Sequence, residues 1–405
     1  MMANPKLAKA MRYRHEYEQN RDPDVVQDIF DGQHYRSLRD SYVTVAGKRL
    51  PFCFFNDPRD IALGFTLDGV NIFKKRSKTS WPLAIVDYNL PPDIRFHQEH
   101  LIPVGVIPGP KKPSDMDSFL YPLVEELLQL AIGVNAFDAV TERLFILRTY
   151  LIVNIGDIPA ISLLMRMKGH NAFSPCRMCK IVGAQGPPPN KTYYIPLDRR
   201  NVSGQSSTLY DPSNLPMRTH KGFMDEAHQV QFAETSTSEK ELAKEFGIKG
   251  IPLLSSLSSL SFPTSFPYDF MHLIWENLIP NLILFWTGQF KDVQHADQDY
   301  VLESSVWKEI CHISAEAGNT IPAPFGCRVP NMSTQHWQLT AESRAVWTQY
   351  IAPIVLRGRF KEVKYYKHFL ELVHLLNLCL EFELPEDKIT EIENGFIKWV
   401  QDYER

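Results

Sequence analysis

Two aspartates of the sequence, Asp68 and Asp157, could together bind a divalent metal ion. Asp68 and Asp157 each follow an apolar run of the 405-residue sequence. Carboxylate oxygens are the ligands that Mg²⁺ prefers in proteins. Taken singly, each aspartate also fits a turn, since Asp68-Gly69 is a common turn pair and Gly156-Asp157-Ile158-Pro159 would stop a strand. As a pair at the ends of two strands, they suit a metal site.

A cysteine pair, Cys176-Arg-Met-Cys179, has the spacing with which two thiolates hold one tetrahedral zinc ion. Zinc needs two further ligands, and the sequence offers several: His170, His220, His228, Asp269 and His272. Two plain cysteines or a redox pair are the alternatives. A redox pair would require a thioredoxin-like βαβ context, which is missing here.

A polar stripe interrupts the apolar segment YDFMHLIWENL. Asp269, His272 and Glu276 fall at i, i+3 and i+7, so they share a face if this segment is helical. The alternative is a helix-capping aspartate, a satisfied histidine and a solvent-facing glutamate. Spacing alone does not decide between the two.

The densest basic run of the chain is Lys74-Lys75-Arg76-Ser77-Lys78. Lys74, Lys75, Arg76 and Lys78 are candidates for contacts with a phosphate backbone or for a nuclear import signal, and a solvated hairpin loop is the alternative. The whole chain has 43 Lys and Arg against 47 Asp and Glu, a net charge of −4. Any DNA contact must therefore be local.

The elements that would position the two aspartates follow from hydrophobic patterns. Short strands are predicted over 61–67, 81–89 and 101–107, and a helix after Asp117, where apolar residues recur at helical spacing. Residues 144–155 are almost all apolar, as in a strand buried on both faces. If the first and fourth strands are neighbours in one sheet, Asp68 and Asp157 converge at one edge.

The rest of the chain differs in character. Residues 183–261 are rich in Pro, Ser, Thr and Asn and are expected to be mostly loop, whereas the sequence after Phe262 is helical. The tryptophans of that helical part are expected in its core: Trp275, Trp286, Trp307, Trp337 and Trp347. The predicted fold class is mixed α/β.

The cellular compartment is constrained by cysteines and apolar runs. Six cysteines in a chain of this length do not form a secreted disulfide framework, which favours a reducing compartment. The apolar runs 144–165 and 273–286 contain charged residues, so no membrane span is expected. The first residues form a basic segment without an apolar signal core. A cytosolic or nuclear protein is predicted.

Four blocks of the sequence resemble a known family. They are LDGVNIFKKRSKTSWPLAIVDYNLPP, LIPVGVIPGPKKPSDMDSFLYPLVEEL, VNIGDIPAISLLMRMKGHNAFSPCRMC and PYDFMHLIWENLIPNLILFWTGQF. In this order they are similar to the transposase of CACTA-type (En/Spm-like) DNA transposons, especially its fungal form. The blocks cover about residues 59–290. The resemblance implies an RNase H-like core of the DDE superfamily.

The resemblance also implies site residues. Asp68, Asp157 and Glu276 would hold two Mg²⁺ or Mn²⁺ ions, with Glu303 or Glu309 as alternatives for the third acid. Cys176 and Cys179, with Asp269 and His272, would belong to a structural zinc site. The expected partner is double-stranded DNA at the transposon ends, with possible self-association. Neither a nucleotide cofactor nor a membrane is implied, and the expected location is the nucleus.

The expected organisation has four segments. Residues 1–54 are an amino-terminal extension, 55–175 the RNase H-like core, 176–265 a zinc-bearing, loop-rich insertion and 266–405 a helical region with the third acid. The expected function is Mg²⁺-dependent DNA strand cleavage and strand transfer. The main alternative is a catalytically inactive, transposon-derived protein that associates with DNA or chromatin, and a metal-dependent nuclease unrelated to transposition is a third.

Overall fold

The computed structural model describes residues 1–73, 76–109, 113, 115–169, 172–185, 193–194, 196–198, 208–291 and 298–405. The chain divides into two compact units. The first unit contains Met1–Gly183 and Pro216–Tyr268, and the second contains Ala184–Leu215 and Asp269–Arg405. Strands and helices are both well represented, so the mixed α/β class is confirmed.

The strands of the described residues lie almost entirely in the first unit. In chain order they are β1 (Val25–Val26), β2 (Tyr42–Val45), β3 (Lys48–Cys53), β4 (Ile61–Leu67), β5 (Val70–Phe73), β6 (Arg76–Asp87), β7 (Ile102–Pro108), β8 (Val134–Asp138), β9 (Arg143–Leu147), β10 (Thr149–Ile155), β11 (Ala184–Gln185), β12 (Tyr193–Tyr194) and β13 (Leu384–Pro385).

The α-helices are α1 (Pro5–Ala10), α2 (Tyr13–Asn20), α3 (Gln33–Arg39), α4 (Asp117–Ile132), α5 (Ile158–Leu164), α6 (His220–Gln231), α7 (Ser236–Phe246), α8 (Ile279–Trp286), α9 (Ser304–Ala317), α10 (Ala341–Val346), α11 (Ala352–Val355), α12 (Val363–Cys379) and α13 (Glu386–Tyr403). Two segments are π-helical, Met271–Leu278 and Trp347–Ile351. Short 3₁₀ turns cover Ile29–Asp31, Gln98–His100, Leu253–Ser256, Ala323–Phe325 and His336–Gln338. Within the described ranges, no helix is both long and apolar enough to cross a membrane.

One five-stranded sheet organises the first unit. Its order is β10-β4-β6-β5, and β7 also pairs with β6. The strand β10 is parallel to β4, whereas β6 is antiparallel to β4, β5 and β7. The pairing of β10 with β4 runs from Thr149 opposite Ile61 to Ile155 opposite Thr66. The carboxyl ends of the two strands therefore lie at the same edge of the sheet.

Both faces of this sheet are covered, because alternate residues of a strand enter different clusters of buried side chains. Along β4, Leu63 and Phe65 belong to one cluster, whereas Ala62 belongs to another. Along β10, Leu151 belongs to the first cluster and Tyr150 to the second. The nearly continuous apolar composition of these two strands follows from burial on both sides.

The helix α4 lies between β7 and β10 in the chain, as the sequence predicts. Its residues Leu120, Val124 and Leu127 are buried and recur at i, i+4 and i+7. The helix ends before Gly133, whose φ of 118° is readily adopted only by glycine. The predicted helix after Asp117 is confirmed.

The strand predicted over 144–155 is in fact two strands. Residues Arg143–Leu147 form β9, which pairs with β8 in a separate hairpin, and Thr149–Ile155 form β10. In β9 Phe145 is buried, whereas Leu144 and Ile146 are 73% and 43% exposed. Only β10 is buried on both faces. Both strands are mostly apolar, so composition did not reveal that one strand ends and the next begins at Arg148.

Two helices occupy part of the stretch expected to be loop. The helix α6 begins after Thr219, whose side chain accepts a hydrogen bond from the backbone N–H of Gly222 at 3.1 Å. The helix α7 begins after Thr235 in the same way, and it ends at Gly247, which has a φ of 76°. The loop prediction is therefore wrong for His220–Gln231 and Ser236–Phe246, where threonine caps start helices inside a polar sequence.

A buried arginine connects the amino-terminal residues to the sheet of the first unit. Arg14 is 1% exposed, and its guanidinium donates hydrogen bonds to the backbone carbonyls of Asp57, Pro58 and Asp60 at 3.0–3.1 Å. It also donates to the hydroxyl of Tyr35 at 2.9 Å. These acceptors are needed because a buried guanidinium without hydrogen-bond partners would destabilise the fold.

The second unit is mainly helical around an aromatic core. Of the tryptophans predicted to be buried, Trp275, Trp286, Trp307 and Trp347 are at most 9% exposed. The Trp347 indole N–H donates to the Ser314 hydroxyl at 3.1 Å. The prediction is wrong for Trp337, which is 69% exposed.

Candidate functional site

The two aspartates predicted to act together start from neighbouring points of the backbone. Asp68 directly follows β4, and Asp157 comes two residues after β10. Between them the backbones are close, because a Cβ atom added to Gly156 would lie 3.0 Å from the carbonyl oxygen of Leu67. Both aspartates are half-buried. The parallel pairing thus brings the two residues to one sheet edge.

Asp157 also has a local structural role. Its Oδ1 accepts a hydrogen bond from the backbone N–H of Ala160 at 2.6 Å, which caps α5. Pro159 suits the first turn of a helix, because proline has no backbone N–H and the N–H groups of the first turn have no acceptor within the helix. The cap fixes the orientation of this side chain.

A tryptophan that the sequence did not single out lies beside Asp68. Trp81 is 8% exposed, and a Cβ added to Gly69 would lie 3.2 Å from its Cζ2 atom and 3.4 Å from its Cε2 atom. Any larger residue at 69 would press on the indole. The Trp81 Nε1–H is buried and has no hydrogen-bond acceptor in the part of the chain that the structure describes. The register of the hairpin could have located Trp81, because the pairing of Leu67 with Leu83 brings residue 81 close to residue 69.

The third predicted acid belongs to the second unit. Glu276 lies on the π-helical segment Met271–Leu278, and its side chain is 43% exposed and 3.6 Å from the Arg344 guanidinium. A π-helix has i→i+5 hydrogen bonds and thus more residues per turn than an α-helix. The segment is helical, but the α-helical spacing that would place Asp269, His272 and Glu276 on one face does not apply to a π-helix.

The other residues of that polar stripe contact each other. Asp269 accepts a hydrogen bond from the backbone N–H of His272 at 3.2 Å, and its other carboxylate oxygen lies 3.2 Å from His272 Nδ1. Of the alternative third acids, Glu303 immediately precedes α9. Glu309 accepts two hydrogen bonds from the Arg359 guanidinium at 3.1 and 3.2 Å.

The cysteine pair lies in a tight loop of the first unit. Cys176 Sγ accepts backbone N–H bonds from Met178 at 3.3 Å and from Cys179 at 3.4 Å. It is also 3.3 Å from the Tyr268 hydroxyl. The Cys179 thiol and these other donors lower the pKa of Cys176, whereas the pKa of Cys179 is raised by the same pairing. Hydrogen bonds to a sulfur atom favour its charged form, so these contacts favour the thiolate form of Cys176.

Further zinc ligands are not assembled among the described residues. No group of three or more His, Cys, Asp or Glu side chains within the described ranges converges as metal ligands would. His220 Nδ1 accepts a hydrogen bond from the backbone N–H of Phe262 at 3.1 Å, and the His228 ring stacks on Phe232. His170 lies outside the described residues. Asp269 and His272 belong to the second unit.

The basic run is only partly described. Lys74 and Lys75 lie outside the described residues. Arg76 and Lys78 are residues of β6, and Arg76 pairs with Phe73 of β5. The predicted DNA contacts of these residues stay a prediction.

Comparison with known proteins bears on less than half of the chain. Residues 44–203 match the family model described as transposase family tnp2. The matched residues contain both aspartates of the sheet edge, the cysteine pair and the basic run, whereas Glu276 lies beyond them. No curated protein matches the chain. Residues 44–203 are thus similar to the transposases of the tnp2 family.

Proposed function

We propose that the chain is a transposon-derived DDE transposase of the CACTA type, in its fungal form, and that residues 55–175 are its RNase H-like core. The single observation that carries the proposal is the sheet edge, where Asp68 and Asp157 follow two neighbouring parallel strands. The strands β4, β6 and β7, then the helix α4, then β10 parallel to β4 follow the order expected of this core, with β5 as an additional strand on β6 and the β8–β9 hairpin between α4 and β10. The match to a transposase family covers the same residues.

The residues at this edge suit magnesium. Two half-buried carboxylates offer hard oxygen ligands, and the approach of Gly156 to the Leu67 carbonyl brings their backbones together. Asp68 and Asp157 would hold Mg²⁺ or Mn²⁺. When two such ions are bound, they supply the charge stabilisation and the activated oxygen that phosphodiester cleavage and strand transfer need.

The protein's own residues contribute positioning. The cap between Asp157 and Ala160 holds one carboxylate in place, and the Trp81 indole supports the backbone after the other. Preorganised ligands need not reorganise during the reaction, which is a large part of how enzymes stabilise transition states.

Glu276 is our proposed third acid. Its contact with Arg344 is long, at 3.6 Å, and its side chain is partly exposed. Glu309 is a weaker candidate, because Arg359 Nη1 and Nη2 already donate hydrogen bonds to both of its carboxylate oxygens. Glu303 stays an alternative at the start of α9.

A structural zinc ion is a second part of the proposal. Cys176 and Cys179 would supply two thiolates, and the N–H bonds to Cys176 Sγ support its charged form. Asp269 and His272 are the proposed remaining ligands. Thiolates prefer zinc whereas carboxylates prefer magnesium, so the two sites need not compete for one metal.

The proposed partner is double-stranded DNA at transposon ends, and the proposed location is the nucleus. Lys74, Lys75, Arg76 and Lys78 would contact phosphates, since the balanced charge of the chain leaves DNA binding to local basic groups. Self-association at paired DNA ends is part of the same proposal.

The test is metal-dependent cleavage of end-labelled duplexes that carry the terminal repeats flanking the gene. Asp68→Asn and Asp157→Asn should each abolish cleavage in Mg²⁺ and preserve the melting temperature within a few degrees. Asp225→Asn is the matched control, because this aspartate is exposed and pairs with Lys221 on the surface of α6. Cleavage that persists in both site variants would contradict the assignment.

The inactive alternative has one observation in its favour. Because Asp157 caps α5, a chain that no longer cleaves DNA would still need this residue for its fold. Such a protein would bind the terminal-repeat duplex but would show no cleavage in Mg²⁺ or Mn²⁺, and Asp68→Asn would leave its DNA affinity unchanged. The same cleavage assay therefore separates the two functions.

A further inference from the structure

The second unit contains a cavity whose lining includes none of the proposed metal ligands. Its volume is about 610 Å³, within the range of about 300–1,000 Å³ typical of small-molecule sites. The cavity lies among α8, α12, α13 and Tyr300. Its lining is strongly aromatic and includes Phe285, Tyr300, Tyr365, His368, Trp399 and Tyr403.

Three of these rings are stacked on one another. His368 and Trp399 are tilted by 10° with ring centroids 4.5 Å apart, and Trp399 and Tyr403 are tilted by 20° with centroids 5.3 Å apart. His368 and Tyr403 differ by only 22°. Tyr403 is 41% exposed, so its ring is accessible to a ligand. The exposed Tyr403 ring therefore favours a flat ring that stacks on it.

One further ring stands nearly at right angles to Tyr403. Phe285 is inclined at 85° to Tyr403, Tyr300 at 81° to Phe285, and Tyr365 at 77° to Tyr300. Phe285 therefore forms a wall beside the Tyr403 ring. A planar heteroaromatic ring fits between such a wall and a stacking ring better than a branched aliphatic group does.

The charges around the cavity favour an anion next to that ring. Its three lining acids are engaged: Glu371 by Lys398 at 2.8 Å, Asp402 by Arg405 at 3.4 Å, and Glu404 by the backbone N–H groups of Leu197 and Asp198 at 2.8 and 3.3 Å. Lys367 is exposed on α12 next to His368, and it forms no ion pair with a carboxylate in the described part of the chain. A free cation beside a stacking surface matches a phosphate beside a base.

We propose that this cavity binds a nucleobase together with its phosphate. The base would stack on Tyr403, and the phosphate would meet Lys367. The chemistry is the same for a free nucleotide and for one nucleotide of a single DNA strand, and aromatic stacking accepts any base. Neither source requires the carboxylates at the sheet edge, so the proposal does not depend on DNA cleavage.

The test measures affinities of the full chain in EDTA, which removes metal-dependent binding. The probes are deoxyadenosine, its 5′-monophosphate and a single-stranded oligodeoxyadenylate. Tyr403→Leu should weaken phosphate-containing probes by roughly ten-fold or more, because base stacking on an aromatic ring is lost. Tyr403→Phe should bind as the unaltered chain does. Tyr350→Leu is the matched control, since Tyr350 is 45% exposed and lies outside the cavity.

Lys367→Gln tests the phosphate contact on an exposed residue. It should weaken binding of the monophosphate several-fold and leave deoxyadenosine binding unchanged. Monophosphate binding that depends on Tyr403 assigns a free-nucleotide site, whereas Tyr403-dependent binding of the oligonucleotide alone assigns a base within a strand. Asp68→Asn should leave either result unchanged.

Three outcomes would overturn the proposal. One is the absence of binding of all three probes up to about 1 mM, which corresponds to a negligible affinity. Another is an equal effect of Tyr403→Leu and Tyr350→Leu. The third is binding of tetramethylammonium at this site without any nucleotide binding, which would assign the cavity to a cationic ligand.

Discussion

Gly156→Ala tests whether the close approach of two strand ends positions the acidic residues. The added Cβ would lie 3.0 Å from the Leu67 carbonyl oxygen and 3.5 Å from the Ala160 Cβ. Ordinary contacts begin at about 3.4 Å, so the backbone on one side must shift by a few tenths of an ångström. Overpacking of this kind costs about 1–3 kcal/mol.

A second effect acts in the opposite direction. Replacing glycine by alanine lowers the entropy of the unfolded chain, which stabilises the folded state by about 0.4–1 kcal/mol. The expected net loss is thus about 0–2.5 kcal/mol in the free energy of unfolding. The rate of DNA cleavage should fall about ten-fold or more, because a small misplacement of catalytic groups slows a reaction strongly.

The matched control is Gly105→Ala on β7 of the same sheet. A Cβ at Gly105 would meet only the Leu83 Cδ1 atom, at 3.6 Å, so this variant should be as stable as the unaltered chain or slightly more stable. The assays are urea unfolding and cleavage of the terminal-repeat duplex in Mg²⁺. If Gly156→Ala cleaves DNA as fast as Gly105→Ala does, the contact between the strand ends does not position the acids.

Three further changes test other parts of the structure. Burial raises the pKa of Asp87 from 3.8 to about 7, so the stability that its neutral form provides is present below pH 4 and is lost as the pH rises through 7. Asp87→Asn should therefore be more stable than the unaltered chain at pH 8, by up to about 4 kcal/mol, and as stable as it near pH 4. The free energy of unfolding of both proteins would be measured by urea titration across this pH range. A difference between them that does not change with pH would contradict the burial argument. Arg14→Met should destabilise the fold by about 3–5 kcal/mol, because backbone carbonyls lose a buried charged donor, and a loss below about 1 kcal/mol in urea unfolding would argue against that role. Cys176→Ser should release zinc and lower the melting temperature, whereas Cys311→Ser, at a buried cysteine remote from the pair in sequence, should leave zinc content unchanged; elemental analysis that finds no zinc in the unaltered protein would remove the zinc site.

Local patterns were enough to predict the strand before Asp68 and the helix α4. The strand over 61–67 and the helix after Asp117 follow from apolar spacing and turn residues, and both are present. The strand before Asp157 was predicted only in part, because residues 144–155 belong to two strands and only Thr149–Ile155 leads to this aspartate. The pairing of β4 with β10 joins residues far apart in sequence. Hydrophobic pattern allows such a pairing but does not require it, because many sheet orders bury the same residues.

Other features lay beyond single-sequence reasoning for specific reasons. The division at Arg148 depends on which side chains of β9 reach solvent, and apolar composition does not record this. The π-helical segment Met271–Leu278 changes the periodicity that the spacing argument assumed. Trp81 looks like any core residue until the register places it next to Gly69. The helices α6 and α7 could have been found from their capping threonines.

The β8–β9 hairpin has a practical consequence for work with the purified protein. The two strands pair only with each other among the described strands, and Leu144, Ile146 and Phe137 are 73%, 43% and 46% exposed. An apolar ribbon with open edges is a template for intermolecular pairing and precipitation. We expect Leu144→Lys to raise the solubility limit in light-scattering measurements without lowering the melting temperature.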